Sequence, residues 1–368
     1  MASGAEERMA FFLPGLYEGG AERVFLNLVQ GIAAKGKPVD LVLARAEGPY
    51  MPQIPASVRL VDLNVSRVLY SAPALARYLR REQPSALLSG LYANIQALWA
   101  KRWVGYKGRV IVSEHNTLSV VARDVPDLRW RIYPRLAHWF YPWADEIIAV
   151  SKGVADDLAQ TAKLRRDRIQ VIYNPVVLPD LHEKAKAPLE YPWFRAGEPP
   201  VVMGVGRLTA QKAFDVLIPA FAQVRERQPA RLLILGEGED RKALEELVER
   251  HGLTQDVRLH GFAANPYSFM ARASAFVLSS RWEGLPTVLI EAMSLGIPVV
   301  STDCPSGPRE ILSDGRYGRL VAVDDVQALA RGISAALNGE VAPPPQESWR
   351  PFDMETVIDQ YVQIMTGR

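Results

Sequence analysis

Cysteine is almost absent from this chain, because Cys304 is the only one among its 368 residues. A single thiol excludes an internal disulfide and a metal site built from several thiolates. It favours a reducing compartment, and we expect the cytoplasm. No apolar run reaches the roughly 18 residues that a membrane-spanning helix needs. The apolar run at 9–16 contains Pro14 and follows Glu6 and Glu7, so we do not expect a signal peptide.

Net charge is also small, at +2, but it is divided unevenly along the chain. Residues 1–175 carry 23 Lys and Arg against 16 Asp and Glu, which is a net +7. Residues 176–368 carry 20 against 25, which is a net −5. The basic half therefore predicts a face directed at an anionic surface.

Short apolar runs alternate with amphipathic helical patterns over most of the chain. Strands are predicted at 9–13, 39–44, 58–63, 86–89, 109–113, 147–151, 169–173, 201–206, 231–235, 257–260, 275–279, 299–301 and 319–321. Continuous apolar strands between helices are typical of parallel sheets that are covered on both faces. Six prolines within residues 174–200 exclude a central strand or a long helix there.

The length and this alternation predict an α/β chain with two doubly wound parallel-sheet domains. We place the first domain at 1–175, a Pro-rich linker at 176–200 and the second domain at 201–350. A second Pro-rich break precedes a final helix predicted at about 354–365, and we expect the segment 351–368 to pack back on the first domain. We expect a cleft between the domains, with ligands at the carboxyl ends of the strands.

A pair of glycines, Gly19 and Gly20, follows the first predicted strand and opens the first helix. Glycines allow a ligand to approach the backbone closely, and free N–H groups at a helix start attract anions. A simple structural turn explains the same residues. The pair lacks the G-x-G-x-x-G spacing of dinucleotide-binding enzymes, which argues against a nicotinamide dehydrogenase.

Two cations, Arg207 and Lys212, follow the strand predicted at 201–206, with Lys212 placed at the start of the next helix. An arginine fork and a lysine at this spacing can converge on a diphosphate without a metal. Two cations near a turn can equally be solvated.

Two carboxylates, Glu283 and Glu291, flank a predicted helix start at Pro286. Free amides of residues 285, 287 and 288 would point at a phosphate, helped by the helix dipole. The carboxylates would then lie on either side of that phosphate and accept hydrogen bonds from hydroxyls. A capped amphipathic helix with two incidental acids is the alternative explanation.

Taken together, these motifs resemble a retaining glycosyltransferase of family 4, which has the GT-B fold. The resemblance is carried by SSRWEGLPTVLIEAM at 279–293, TDCPSGPREIL at 302–312, the Gly19 motif and SEHN at 113–116. It spans essentially the whole chain. The chain is similar to bacterial enzymes of this family that extend lipid-diphosphate-linked glycans in polysaccharide biosynthesis.

This resemblance implies roles for individual residues. Arg207 and Lys212 would hold the nucleotide diphosphate, Glu291 the ribose hydroxyls, and Glu283 the hydroxyls of the transferred sugar. His115 would lie near the anomeric centre of the donor. The implied catalytic residues are His115, Glu283, Arg207 and Lys212. The implied donor-binding residues are Gly19, Gly20, Arg207, Lys212, Gly236, Gly238, Phe262, Glu283, Gly284, Leu285, Pro286, Thr287, Val288 and Glu291.

The sequence departs from the family at Ala213, where glycine is common after the lysine. We expect this to tighten the turn without removing the charge. The Asp-x-Asp metal-binding mark of the other major glycosyltransferase fold is absent. We therefore expect no metal and no other cofactor, with the nucleotide sugar as a substrate.

Five of the eight tryptophans lie between residues 99 and 143, interleaved with Lys and Arg. Such a pattern can bind single-stranded nucleic acid or form the core behind an acceptor site. The resemblance favours an anionic membrane surface, because aromatic rings and cations suit the headgroup region. We expect no nucleic acid partner and a peripheral position on the inner face of the cytoplasmic membrane.

The function that this resemblance implies is retaining transfer from a UDP-hexose or UDP-N-acetylhexosamine to a glycan or undecaprenyl-diphosphate-linked acceptor, forming an α-glycosidic bond. The alternatives are a GDP-mannose-dependent mannosyltransferase, a UDP-sugar epimerase and a non-catalytic sugar-nucleotide-binding subunit. An epimerase would isomerise the donor without an acceptor. A degenerate subunit would have no need of both cations and both glutamates.

Overall fold

The computed structural model describes residues 8–17, 19–124 and 128–367. Glu6 and Glu7, and positions 125–127 of the tryptophan-rich stretch, lie outside the described residues. The chain divides into two compact units, residues 1–175 with 353–368 and residues 176–352, called unit 1 and unit 2 below.

Unit 1 is built on seven strands. They are β1 (Met9–Leu13), β2 (Val39–Leu43), β3 (Arg59–Asp62), β4 (Ala86–Gly90), β5 (Arg109–Glu114), β6 (Glu146–Ala149) and β7 (Ile169–Val171). Its helices before unit 2 are α1 (Gly20–Ala34), α2 (Ala72–Glu82), α3 (Asn94–Val104), α4 (Leu118–Asp124), α5 (Leu128–Phe140) and α6 (Lys152–Thr161).

These strands form a parallel sheet in the order β3-β2-β1-β4-β5-β6-β7. Every residue of β1, β2 and β4 is buried, as expected for strands covered by helices on both faces. Chain order reverses between β1 and β4, so ligands of this sheet are expected at the carboxyl ends of these strands.

Unit 2 contains seven helices and six strands. The helices are α7 (Leu181–Lys186), α8 (Phe214–Arg225), α9 (Arg241–Arg250), α10 (Pro266–Met270), α11 (Thr287–Ser294), α12 (Pro308–Ile311) and α13 (Val326–Leu337). The strands are β8 (Val201–Val205), β9 (Arg231–Leu235), β10 (Val257–Gly261), β11 (Ala275–Leu278), β12 (Val299–Thr302) and β13 (Arg319–Val321).

The second sheet is parallel in the order β10-β9-β8-β11-β12-β13. Its reversal lies between β8 and β11, which places the loops after these two strands at the expected ligand-binding edge. The predicted doubly wound α/β class is thus observed in both units.

The Pro-rich segment 176–200 is part of unit 2 and does not form a free linker. Its helix α7 lies against α10, where Asn265 Nδ2 donates to the carbonyl of Lys184 at 2.8 Å. Rings of Tyr191 and Phe269 lie 5.6 Å apart. Proline prevents long regular elements, as expected, yet the segment still packs through short helices and aromatic side chains.

The final helix, α14 (Met354–Thr366), belongs to unit 1. Its residues Val357, Ile358 and Tyr361 are buried in the same core as the first strands. α14 packs against α1 at Gly31, where a Cβ would lie 2.6 Å from Cδ1 of Ile358. Within the described residues, no helix is both long and apolar enough to cross a membrane.

Candidate functional site

At the expected ligand-binding edge of unit 2, backbone hydrogen bonds join the loops that follow β8, β9 and β10. The amide of Leu208 donates to Glu237 at 2.9 Å, and the amide of Gly236 donates to Gly261 at 2.9 Å. Glycine is required at two of these positions. A Cβ on Gly236, whose φ is +140°, would lie 1.9 Å from the carbonyl oxygen of Gly206, and one on Gly238 would lie 2.3 Å from that of Leu208. These loops therefore form one closely packed backbone surface.

A buried ion pair joins the loops after β8 and β11. Lys212 Nζ lies 2.6 Å from Glu283 Oε1, and the two side chains are 15% and 8% exposed. The hydroxyl of Ser280 donates to the same carboxylate oxygen at 2.6 Å. The resemblance implies that Lys212 holds the diphosphate and Glu283 the transferred sugar, and the structure places these two side chains in direct contact.

Further hydrogen bonds hold this pair in place. Gln211 Nε2 donates to the carbonyl of Trp282 at 2.9 Å, and the Ser279 hydroxyl donates to the carbonyl of Lys212 at 2.7 Å. The amide of Glu283 donates to Pro305 in the loop after β12. Residues in the loops after β8, β11 and β12 therefore fix the orientation of Lys212.

Arg207 differs from Lys212, because its side chain is exposed. Within the described part of the chain, its guanidinium has no hydrogen-bond or ion-pair partner. A guanidinium presents five N–H donors in a planar fork that matches phosphate oxygens. At the edge expected to bind ligand, Arg207 is available to a diphosphate.

The β11–α11 loop contains the remaining acidic motif. α11 begins at Thr287, one residue later than predicted, and Pro286 is its N-cap residue. Leu285 and Pro286 are buried, whereas Gly284, Thr287 and Val288 are partly exposed. The first amides of a helix have no partner within it, so the amides of Thr287 and Val288 lie where an anion is favoured.

Glu291 and Phe262 occupy contrasting environments. Glu291 is 6% exposed, and it accepts a hydrogen bond from the Tyr267 hydroxyl at 3.2 Å. Phe262, directly after β10, is 81% exposed. A solvated aromatic ring beside the glycine-rich loops has a free face on which a planar ring can stack.

Ala213 has left-handed backbone geometry, with φ of +51°, and is completely buried. An L-residue pays a steric cost of roughly 1–2 kcal/mol in this region, whereas glycine does not. A glycine after the lysine, which the resemblance leads us to expect, would avoid this cost. Lys212 itself lies in a short 3-10 turn before α8, so it precedes the helix that it was predicted to begin.

In unit 1, α1 begins at Gly20 with Gly19 as its N-cap residue. A Cβ at Gly19 would lie 1.9 Å from a carboxylate oxygen of Glu22, whereas one at Gly20 would meet nothing within 4 Å. The Glu22 carboxylate therefore lies over Gly19, whereas Gly20 has room for a ligand to approach the backbone.

His115 follows β5 and is 8% exposed. Burial lowers its pKa to about 3, so the ring is neutral at physiological pH. Its Nε2 lies 3.0 Å from the Ser113 hydroxyl, and its ring centroid lies 5.2 Å from that of Phe25. The neighbouring Glu114 is 2% exposed, and burial raises its pKa to about 7.

The structure thus brings Lys212, Glu283 and the glycine-rich loops together within unit 2. Sequence reasoning missed Ser280 and Gln211, which orient this pair, and Tyr267, which orients Glu291. Ser280 lies inside the quoted 279–293 motif, but its contact with Glu283 depends on the turn geometry. Among the described residues, no group of three or more His, Cys, Asp or Glu side chains is arranged to hold a metal ion.

Two family models match the chain. The model described as Glycosyltransferase Family 4 matches residues 18–178, and the one described as Glycosyl transferases group 1 matches residues 191–351. The first match lies almost wholly in unit 1 and the second in unit 2. Together they span most of the chain.

Individual proteins give the same result. The chain is 29% identical over 347 residues to the N-acetylgalactosamine-N,N'-diacetylbacillosaminyl-diphospho-undecaprenol 4-alpha-N-acetylgalactosaminyltransferase of Campylobacter jejuni, covering 91% of each chain. It is 39% identical over 176 residues to an uncharacterized glycosyltransferase of Methanocaldococcus jannaschii, covering 47% of this chain and 43% of that protein.

A solved structure matches over nearly the full length. It is Anabaena HepE in complex with UDP and glucose, with a TM-score of 0.77, 20% identity and coverage of 98% of this chain and 100% of that one. At this identity the match establishes the fold. The two parallel-sheet units and the two family matches lead to one conclusion: the chain belongs to glycosyltransferase family 4 and has the GT-B fold.

Proposed function

We propose that this glycosyltransferase moves a hexose or N-acetylhexosamine from a UDP-sugar to a lipid-linked glycan, with retention of configuration and formation of an α-glycosidic bond. One observation carries the proposal: the Lys212–Glu283 ion pair lies on the same loops as the exposed Arg207, at the ligand-binding edge of unit 2. A binding subunit explains this arrangement less well, because it has no departing diphosphate to stabilise. An epimerase would differ by isomerising the donor without an acceptor.

The residues of this site suit a reaction in which negative charge develops on phosphate. Lys212 has three N–H donors and directs one of them to Glu283, which leaves donors for the diphosphate. Arg207 adds a bidentate fork. Donors fixed in advance, as Lys212 is by its neighbours, stabilise developing charge without reorganising, which typically contributes 2.7–4 kcal/mol per donor, or about 10²–10³ in rate.

Glu283 is suited to the sugar and Glu291 to the ribose. Both carboxylates are buried and already oriented by other side chains, Glu283 by Lys212 and Ser280 and Glu291 by Tyr267. Buried carboxylates bind hydroxyl groups strongly, because hydrogen bonds to an ionised acceptor are shorter and stronger than neutral ones. Phe262 and the backbone of Gly236 and Gly238 would receive the base.

The choice of UDP as the nucleotide rests on what similar proteins bind and transfer. HepE was crystallised with UDP, and the Campylobacter relative transfers N-acetylgalactosamine to a diphospho-undecaprenol-linked acceptor. The test is transfer to a lipid-diphosphate-linked sugar with UDP-glucose, UDP-N-acetylgalactosamine and GDP-mannose in parallel, with the anomeric proton coupling of the product read by NMR. Transfer from GDP-mannose alone, or a β-linked product, would overturn the respective part of the proposal.

We further propose that transfer is independent of metal ions, since Arg207 and Lys212 supply the cationic groups that face the diphosphate. The enzyme should keep its rate after dialysis against EDTA, and added Mg²⁺ or Mn²⁺ should change it less than twofold. Loss of activity in EDTA with recovery on metal addition would contradict this part of the proposal.

The acceptor-side partner that we propose is an anionic membrane surface. Trp103 on α3 and Trp139 on α5 are 64% and 67% exposed, and Ile132, also on α5, is 41% exposed. The ring of Trp99 lies 5.5 Å from that of Trp143, and the Arg102 guanidinium lies 4.7 Å from the centre of the latter ring. Exposed indoles beside arginine suit the headgroup region of an anionic bilayer.

Vesicle flotation tests this surface. The protein should float with vesicles containing an anionic phospholipid, less at high salt, and the double variant Trp103→Ser/Trp139→Ser should lose most of this binding. Leu60→Ser on β3, where the side chain is 40% exposed, is the matched control and should float like the parent protein. Equal flotation of the double variant and the parent would refute the assignment.

A further inference from the structure

A network of buried polar side chains lies at the carboxyl end of β5 in unit 1. Glu114 is its centre. One carboxylate oxygen, Oε1, accepts hydrogen bonds from the amides of His115 and Asn116 at 3.1 and 3.2 Å. The other, Oε2, accepts one from the Tyr141 hydroxyl at 3.0 Å. Three donors therefore converge on one side chain that is only 2% exposed.

Tyr141 extends the network to neighbouring elements. Its hydroxyl accepts a hydrogen bond from Asn94 Nδ2 at 2.9 Å and lies 3.1 Å from the hydroxyl of Tyr133. Tyr133 in turn reaches the carbonyl of Leu91 at 3.3 Å. The network thus connects β5 with α3, α5 and the chain that follows β4.

The network ends at a strained backbone residue, Leu91. Leu91 lies directly after β4 and has φ of +58°, a strained conformation for a leucine. Such strain persists only where surrounding contacts impose it, and it is concentrated at functional sites. The adjacent Tyr92 is 39% exposed, with its ring 6.0 Å from that of Trp130. The network therefore lies beneath the edge at which ligands of the first sheet are expected.

We propose that Glu114 is a positioning residue for sugar transfer, because its carboxylate fixes the turn at residues 115–116 and thereby the orientation of the His115 ring. This inference rests on the proposed function and on the position near the anomeric centre that the family resemblance implies for His115. Burying a carboxylate is costly unless its hydrogen bonds are complete. Here two of the three bonds hold the turn that carries His115, and the third ties that turn to Tyr141.

Only the ionised carboxylate can accept all three hydrogen bonds without also presenting a proton to one of the donors. The titratable and charged groups around it are His115 on the turn, Tyr133 on α5, Tyr141 after α5 and Asp157 on α6. Burial of Glu114, reinforced by the charge of Asp157, raises the pKa of Glu114 to about 7. The turn should consequently loosen, and transfer should slow, as pH falls through about 7.

Two conservative variants test the role. Glu114→Gln keeps the shape and one acceptor oxygen, and Tyr141→Phe removes a single hydroxyl. We expect each to lower kcat at least tenfold, with less than a threefold change in KM for the donor. Glu114→Gln should also lose the fall in rate on the acid side of pH 7. Glu114→Asp, which keeps the charge, should recover part of the rate if the charge on the turn is what matters.

The matched control is Tyr78→Phe, since Tyr78 also donates to a buried carboxylate, that of Asp40, at 2.6 Å. Asp40 lies near the amino end of β2, whereas Glu114 lies at the carboxyl end of β5, so the two carboxylates are at opposite ends of the strands of one sheet. Tyr78→Phe should lower the melting temperature and leave kcat unchanged. If Tyr78→Phe and Tyr141→Phe reduce kcat equally, or if Glu114→Gln keeps the parent kcat and pH profile, the inference is wrong.

Failure of the proposed function is distinguishable from failure of this inference. If the parent protein transfers no sugar from any nucleotide sugar, the proposed function fails. If the parent transfers sugar and the Glu114 and Tyr141 variants match it, only the role of Glu114 fails. Binding of UDP, measured by calorimetry, should be the same in all variants, because the proposed nucleotide site lies in unit 2.

Discussion

Replacement of Lys212 by Met should separate the stabilising role of this side chain from its role in transfer. The ammonium lies 2.6 Å from Glu283, and both groups are largely buried. Removing one partner of a buried ion pair typically costs 3–5 kcal/mol, because the other charge stays buried without its counter-charge. Ser280 still donates to Glu283, so we expect the lower end, about 3 kcal/mol.

This loss can be measured in two ways. For a unit of this size, about 3 kcal/mol lowers the melting temperature by roughly 6–12 °C. Transfer should fall by about 10²–10³, the usual effect of losing one donor to a developing negative charge. Calorimetry and the rate of sugar transfer under donor saturation measure the two effects independently.

A double variant makes the reasoning refutable. Lys212→Met/Glu283→Gln removes both charges, so it should regain at least half of the lost melting temperature while transfer stays low. Lys184→Met is the control, since its ion pair with Asp180 has a similar length of 2.7 Å but is exposed, and it should cost less than about 1 kcal/mol. Transfer by Lys212→Met within threefold of the parent, or a double variant no more stable than the single one, would refute the argument.

Three further predictions concern stability and reactivity. Gly236→Ala should destabilise unit 2 by at least about 3 kcal/mol, measured by urea unfolding, because backbone strain adds to a steric clash. Gly252 is the control, since it also has a positive φ but an added Cβ would meet nothing within 4 Å. Gly252→Ala should therefore cost only about 1–2 kcal/mol. Burial raises the pKa of Asp40, but hydrogen bonds from Arg59, Tyr78 and Arg8 outweigh it and lower that pKa below 3.8. The ionised form of Asp40 therefore stabilises the fold above pH 3.8, and this contribution is lost as pH falls through the lowered pKa. Tyr78→Phe removes one of the stabilising hydrogen bonds. It should therefore move the midpoint of acid unfolding, followed by circular dichroism, to higher pH. Burial raises the pKa of the Cys304 thiol, helped by Glu283, so a thiol-disulfide reagent should label it only in denaturant.

The strands were largely predictable from apolar runs, because a parallel sheet covered on both faces leaves few polar residues within a strand. Arg231–Leu235 and Arg319–Val321 have the predicted bounds. The strand predicted at 147–151 is observed as Glu146–Ala149, since its ends depend on pairing with neighbouring strands. Final helix α14 was also predicted within one residue at its end.

The contacts of the candidate site were less predictable, because they join residues far apart in sequence. Lys212 and Glu283 are 71 positions apart, and no local pattern indicates that they pair. Ala213 gives no local sign of its positive φ. Glu114 was quoted within a motif, but its buried environment includes residues far apart in sequence, such as Tyr141, whose hydroxyl donates to its carboxylate. The roles of the site residues in transfer remain predictions.

The return of α14 to unit 1 has a consequence for how the protein is made. During synthesis, residues 1–175 emerge first but lack the buried side chains of Val357, Ile358 and Tyr361. Unit 2 is continuous in sequence and can complete its core while the surface of α1 around Gly31 is still uncovered. Exposed apolar surface of this kind makes a nascent chain prone to aggregation. Chaperone binding during translation should therefore persist until α14 has left the ribosome.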